Sequence, residues 1–422
     1  MGGIRRLRGS TGIGLSLACA GACAWLAGAG PALAQPPRTS RAVRYHGLSV
    51  RIPRSWPVFN LARDPHTCVR FNRHAVYLGT PGSEESCPAH SVGRTGAILI
   101  SPLKASPRAP NATAAGLGLE GNVSSITARS AGVEVTATWA RSQRLVAHAL
   151  GRKSLPATSE SGIRARGVAP PAGGTEAGTT GPIATVYTGR GFDACSAPSI
   201  RQMKAWSSSP DRAVGIYIGG PNEGCAQPNV SERWVSHELA SGWHPFPIYV
   251  SLQAPRNGCG CGPMSANPRR AKVQGEAAAS DAVTRARRFG IGIGNPIYDD
   301  MEGYTNTRAN RRAVLAFLAG WTSSLHAAGY ISGVYSGASS GVADLAKKFH
   351  TGYPEPNDIW IADWNGRKTT SDPYVPRRDW RNHQRIHQYL GPRNETHGGV
   401  TLNVDNNYLD AATLATKPLP GG

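Results

Sequence analysis

From residue 185 to the C-terminus, short runs of apolar, β-branched and aromatic residues alternate with longer stretches of helical periodicity, and no other feature constrains the fold as strongly. The strand-like runs are 186–193, 213–218, 246–252, 296–302 and 330–336, with helix-like stretches at 199–206, 231–241, 269–289 and 309–328 between them. Such an order calls for a parallel sheet with crossover helices, because parallel neighbours cannot be joined by a tight turn. Three more strand-like runs follow at 358–364, 385–389 and 400–405, with little room for helices between them. The count reaches eight, enough to close a cylinder. The predicted fold is α/β: a TIM-like barrel over 185–415, five strand-helix units plus three strands, with its last third nearly free of helix.

The 422-residue chain opens with Arg5, Arg6 and Arg8, an apolar stretch over 13–32, and Ala32-Leu33-Ala34 before Gln35. A basic start, a short apolar run and an A-x-A site read as a signal peptide over 1–34, so the chain is expected to be secreted, outside the cell or on its wall. Glycines break that run, and no later stretch is apolar enough to span a bilayer, so no transmembrane segment is expected once the signal is gone. Residues 41–156 alternate strand-like runs at 48–52, 69–78, 97–103 and 133–139 with turns, followed by a helix-like tail at 140–150. They read as a small accessory module, mostly β or α+β. Residues 157–184 are rich in Gly, Pro, Thr and Ala and read as a linker.

Signal removal takes Cys19 and Cys23 and leaves Cys68, Cys87, Cys195, Cys225, Cys259 and Cys261. An even set in an exported chain reads as disulfides. Cys68 and Cys87 are expected to close the front module on each other. Cys259 and Cys261 lie too close along the chain to bridge without severe strain, so each is expected to pair with Cys195 or Cys225, in either connectivity. A structural zinc is disfavoured by the oxidising compartment and the lack of a second C-x-x-C element, and neither metal nor cofactor is expected.

The formal charge is +20, and its excess lies towards the front: 18 basic and 7 acidic side chains in 35–184 against 25 and 19 in 185–422. A basic exported protein is drawn to polyanions, which outside a bacterial cell are anionic wall polymers and peptidoglycan carboxylates. Its arginines are scattered, without a basic helix or an aromatic stacking platform, which argues against nucleic acid as the partner.

The chemistry concentrates in Tyr298-Asp299-Asp300-Met301-Glu302, read as the end of a buried strand. Strand side chains alternate, so Asp300 and Glu302 project together while Asp299 and Met301 point the other way. Two carboxyls crowded on one lip cannot ionise equally, and the one that keeps its proton can serve as the acid in glycosidic cleavage. Barrel chemistry sits at the C-terminal strand ends. Those ends present Asp193, Asp300 with Glu302, Tyr335, Asp363 with Trp364, Gln388 with Tyr389, and Asp405. His66, His74 and His90 show no ligand spacing and read as surface histidines.

Six motifs occur in order over 185–410: Gly191-Phe192-Asp193, Asp300-Met301-Glu302, Gly333-Val334-Tyr335-Ser336, Ile359-Trp360-Ile361-Ala362, His387-Gln388-Tyr389 and Val404-Asp405-Asn406-Asn407. On these the segment resembles the glycoside-hydrolase-like barrel of secreted high-GC bacterial proteins, itself similar to the family-25 muramidases. The resemblance implies Glu302 as general acid and Asp300 as the carboxylate that orients an acetamido group or stabilises positive charge. It further implies that Asp193 and Asp405 hold the sugar or tune Glu302, and that Tyr298, Tyr335, Asp363, Trp364, Gln388 and Tyr389 line the substrate groove. Two departures stand out. Trp364 occupies a position where the muramidases more often carry tyrosine, and the insertion 254–268 with Cys259 and Cys261 has no counterpart in them.

Three functions follow as expectations: a hydrolase of β-1,4 bonds in peptidoglycan or a related N-acetylated polysaccharide, a wall-binding protein that keeps the pocket without turnover, and a metal-dependent hydrolase ligated by Asp193, Asp300, Glu302 and Asp405.

Overall fold

A computed structural model describes residues 39–103, 120–122, 125–130, 132–139, 143–152 and 181–416. The expected signal peptide and most of the expected linker lie outside the described residues.

The front segment forms two sheets. Strands β1 (Ser40–Tyr45) and β2 (Leu48–Pro53) pair as a hairpin. Strands β3 (Val58–Asn60), β4 (Ala75–Leu78), β5 (Ala97–Pro102), β6 (Glu120–Asn122), β7 (Ser125–Ser130) and β8 (Val133–Thr138) form a second sheet in the order β3-β4-β5-β8-β7-β6. Helix α1 (Gln143–Ala149) packs Val146 into an apolar core with Ile52, Trp56, Ile98 and Trp139. The run expected as one strand over 69–78 is strand only from Ala75. Its earlier part is drawn instead to the loop after the second barrel strand, where Phe71 N donates to Gly224 O at 2.8 Å and Ala226 N to Val69 O at 3.0 Å.

The remainder closes a barrel: β9 (Ile183–Asp193), α2 (Ile200–Trp206), β10 (Ala213–Gly219), α3 (Glu232–Ala240), β11 (His244–Tyr249), α4 (Pro268–Arg288), β12 (Pro296–Asp300), α5 (Arg308–Ala327), β13 (Ile331–Gly337), a π-helical turn leading into α6 (Ala343–Ala346), β14 (Asp358–Ala362), β15 (Arg385–His397) and β16 (Val400–Ala415). Helix starts follow their capping residues. Ser199 and Gln202 form a capping box, and Asn267 caps α4 ahead of Pro268. Outward strand residues such as Val214, Ile297, Met301, Val334 and Ile359 pack beneath Phe317, Trp321 and the alanines of α4. Gly275 lets α4 lie directly on α5, since a Cβ there would come within 2.0 Å of Phe317 O. Inward residues Phe246, Tyr298, Trp360, Ile386 and Leu409 fill the interior, so the barrel is a packed core.

The structure departs from expectation at two further points. The last strand is antiparallel to both neighbours, β15 and β9. Only Gly398 and Gly399, with φ of 56° and 77°, separate β15 from β16, and such a turn makes a hairpin where a parallel return needs a dozen residues or more. The second departure concerns the disulfides, which are Cys68–Cys87, Cys195–Cys225 and Cys259–Cys261. The exclusion of a Cys259–Cys261 bridge is thus overturned. Gly260, at φ 68°, turns the chain so that the two Cα atoms lie 5.2 Å apart, within bridging range.

Candidate active site

Four carboxylates meet at the upper end of the barrel. Asp193 ends β9, and Asp300 ends β12. Glu302 lies just beyond β12, held by its backbone N–H on Gln253 Oε1 at 2.8 Å. Asp405 sits in the middle of β16, yet the antiparallel register sets it directly opposite Asp193. Strand alternation delivers Asp300 and Glu302 to one side, where their carboxyls hydrogen-bond to each other. Asp193, Asp300 and Asp405 are almost completely buried, and the Glu302 side chain keeps 13% exposure.

Above them sits a residue that sequence reasoning assigned to the surface. His90, from the front segment, places Nε2 3.2 Å from Glu302 Oε1 and Nδ1 3.5 Å from Asp405 Oδ2. Nothing in its local sequence marks it; its partners lie more than 200 residues further along the chain.

This contact decides where charge resides. Burial pushes the Asp300 carboxyl well above the ordinary aspartate range, and the neighbouring Glu302 charge adds to it. Burial also pushes Glu302 up, but the charge and hydrogen bond of His90 outweigh it, and Glu302 lies below an ordinary glutamate. His90 rises well above an ordinary imidazole, because the Glu302 and Asp405 carboxylates overcome its own desolvation. Asp193 is pushed up to about 8 by burial and by Asp405, and Asp405 is itself raised by burial. In this state the acid pair therefore keeps its proton on Asp300, not on Glu302 as expected, and an imidazolium faces the Glu302 carboxylate.

A hydrogen-bonded chain fixes the floor of the site. Asn407 Nδ2 and Gln388 Nε2 donate to Asp193 Oδ2 at 2.7 and 3.1 Å. Gln388 Oε1 accepts from Tyr335 Oη at 3.1 Å and Trp364 Nε1 at 2.9 Å, and Asn407 Oδ1 accepts from Trp360 Nε1 at 2.8 Å. Asn407 could have been found, since it lies two residues beyond Asp405 on the same strand face. Trp364 is half exposed, its ring set edge-on to His90 at 6.1 Å.

Two expected groove residues lie elsewhere, and a third stands apart from the four acids. Tyr298 is one layer down, fully buried, its hydroxyl donating to Asp358 Oδ2 and Ala412 O at 2.9 Å each. Tyr389 points away from Gln388, out of the barrel, where its hydroxyl meets Arg190. Asp363 stands apart from the four acids, accepting from Asn365 Nδ2 at 2.7 Å beside Asp372 and His387. It does line an open cleft of 510 Å³, shared with Gly303, Tyr304, Gly337, Ser340 and Tyr374, that begins next to Glu302.

Among the described residues three side-chain groups have the spacing of cation ligands: Cys68, Cys87 and Cys225, which are in disulfides, and two carboxylate–histidine groups. In the first of the latter two, with Asp363 and Asp372, both ring nitrogens of His387 are already directed at backbone carbonyl oxygens, Thr369 O at 2.6 Å and Asp363 O at 2.8 Å. In the second, Asp211 with Glu395 and His397, Arg190 Nε already stands 3.2 Å from Asp211.

Fold and acid cluster together define a glycoside-hydrolase-like barrel. Residues 204–409 match the model of the Rv2525c-like, glycoside hydrolase-like domain family. Similar solved structures include an uncharacterized B. stearothermophilus protein at 18% identity, covering 52% of this chain and 95% of that one with a TM-score of 0.37. The Mycobacterium tuberculosis Tat-secreted protein Rv2525c, in complex with L-tartrate, matches at 15% identity over 53% and 96% of the two chains with a TM-score of 0.38. The modular autolysin LytC of Streptococcus pneumoniae, in complex with a synthetic peptidoglycan ligand, matches at 12% identity over 54% and 47% with a TM-score of 0.33. No curated protein matches the chain. Among the described residues no helix is long and apolar enough to cross a membrane.

Proposed function

We propose that this is a secreted glycoside hydrolase that cleaves β-1,4 bonds in peptidoglycan or a related N-acetylated polysaccharide. The observation that carries the proposal is the hydrogen-bonded Asp300–Glu302 pair at the barrel mouth, facing Asp193 and Asp405. Glycosidic cleavage needs a proton for the leaving oxygen and fixed negative charge beside an oxocarbenium-like transition state. The acid pair supplies a proton shared by two carboxyls. Of the two, Glu302 is nearer to solvent and can reach a glycosidic oxygen, so it acts as the general acid, with Asp300 behind it as the second carboxylate. Asp193, Asp405 and the Trp364 face hold the sugar. The cleft beginning at Gly303 receives the adjoining part of the glycan chain. The basic front segment retains the protein on anionic wall polymers.

A wall-binding protein without turnover is the second reading, favoured by the near-complete burial of three of the four acids. The two are separated by incubating mature protein and Glu302→Gln with labelled peptidoglycan and with N-acetylglucosamine oligomers, products read by mass. A hydrolase releases new reducing ends that the variant does not. Salt-sensitive pelleting with peptidoglycan, unchanged in Glu302→Gln and without product, selects the binding protein.

A further inference from the structure

Residues 89–94 cross the mouth of the barrel and are fixed to it at every step. Ala89 N donates to Asn403 Oδ1 at 2.7 Å. His90 bridges Glu302 and Asp405. Val92 forms a backbone bridge with Glu223, and its side chain is buried against the barrel-interior cluster that includes Tyr217, Val250 and Tyr335. Gly93 N donates to Asn222 O at 2.7 Å, and Arg94 forms a buried ion pair with Glu223 at 3.6 Å. The root of the segment is pinned by the Cys68–Cys87 disulfide, whose Cys68 Sγ lies 3.9 Å from Cys225 Sγ of the barrel.

We propose that residues 89–94 are a built-in inhibitor that occupies the substrate position of this barrel, with the His90 ring in place of the reacting sugar. A glycan must bring its scissile oxygen into contact with the Glu302 carboxyl, and the His90 ring already lies against it, 3.2 Å from Oε1. The mimicry is chemical as well as steric. The transition state of glycosidic cleavage is a flattened ring bearing positive charge between carboxylates, and a planar imidazolium between Glu302 and Asp405 reproduces both properties. Because Val92 fills an apolar niche and Arg94 is paired, the segment is held by packing as well as by charge. Turnover then requires it to leave. Once His90 withdraws, the contact that keeps Glu302 ionised is gone, and the proton on Asp300 can pass to it.

The consequence for turnover rests on the hydrolase proposal, whereas the occlusion itself does not, and the two are tested separately. The test uses mature full-length protein, Val92→Asp, which places a charge in the apolar niche, and the milder His90→Ala. Carbodiimide coupling of an amine to carboxyls, mapped by peptide mass, reads access to Glu302 without any substrate. Both variants are expected to label Glu302 at least tenfold faster than wild type while keeping the native far-UV circular dichroism. Equal labelling overturns the inference, and if Val92→Asp does not fold, His90→Ala decides. On peptidoglycan, both variants are expected to release reducing ends with at least tenfold higher kcat/KM, an effect abolished by adding Glu302→Gln. Faster labelling together with lower activity in both variants would show that His90 completes the active site, and would overturn inhibition. Faster labelling with no hydrolysis by any form retains the occlusion and removes the hydrolase proposal instead.

Discussion

The side-chain amide of Gln253 clasps the strand end that carries Glu302: its Oε1 accepts from Glu302 N at 2.8 Å while its Nε2 donates to Asp300 O at 2.6 Å. The clasp is fully buried and spans the acid pair, so it sets the direction in which both carboxyls project. Gln253→Met keeps the volume and removes these hydrogen bonds. It is expected to cost roughly 1–3 kcal/mol of stability and to lower reducing-end release by tenfold or more through misplacement of Glu302. Thermal melting and the peptidoglycan assay, run on the same preparation, measure the two effects.

Tyr298→Phe separates packing from substrate contact. It leaves the buried Asp358 carboxyl, which burial raises to about 7, without its hydroxyl donor. Stability is expected to fall by about 1–3 kcal/mol, with kcat and KM on any accepted glycan changed less than twofold. A selective rise in KM with unaltered melting would return Tyr298 to the groove.

Asp299 offers a pH test. It is fully buried on the outward face of β12, and burial pushes its carboxyl to about 8, with Ser251 pulling the other way. A carboxyl raised in the folded state favours folding when protonated. Its contribution is complete below the ordinary value of 3.8 and is lost as pH rises from there through about 8. Asp299→Asn should therefore gain in stability relative to wild type between pH 5 and pH 8, by an amount on the order of 1–3 kcal/mol. Asp193 and Asp358 tilt both proteins in the same direction, so the difference between the two melting curves isolates Asp299. A constant difference across that range would refute the assignment.

The three disulfides should rank by the loop each closes. Sequence separations of 2, 19 and 30 for Cys259–Cys261, Cys68–Cys87 and Cys195–Cys225 give chain-entropy contributions of about 2, 3 and 4 kcal/mol. Pairwise Cys→Ala variants compared by denaturant midpoint check the order. A larger loss for Cys259–Cys261 than for Cys195–Cys225 would assign it a packing role beside Gly93, which its Cys261 sulfur touches.

Alternation of strand and helix made the first five barrel strands readable, because α2 to α5 separate them with helical periodicity, while the last three were read from their apolar runs alone. Asp193 and Asp300 could be placed at the mouth from that pattern alone. Asp405 reached the same place by another route. A parallel eighth strand would end on it, whereas the real strand passes through it downwards, and the glycine pair at 398–399 was the visible sign of that reversal. Tyr298 was misplaced by one layer because the residue before a functional strand end was counted with it. His90 was not legible, since its role comes from the docking of one sheet-bearing segment onto another part of the chain. The Cys259–Cys261 pairing was excluded on a general strain rule that the left-handed Gly260 circumvents.

The first and last barrel strands lie side by side, with Ile183 opposite Ala415. Entry and exit of the polypeptide are thus neighbours at one pole, and the acids occupy the other, an 11-residue strand away, roughly 35 Å. A barrel wired in this way has both of its covalent joins in a single paired junction, and neither join crosses the end where the acids lie.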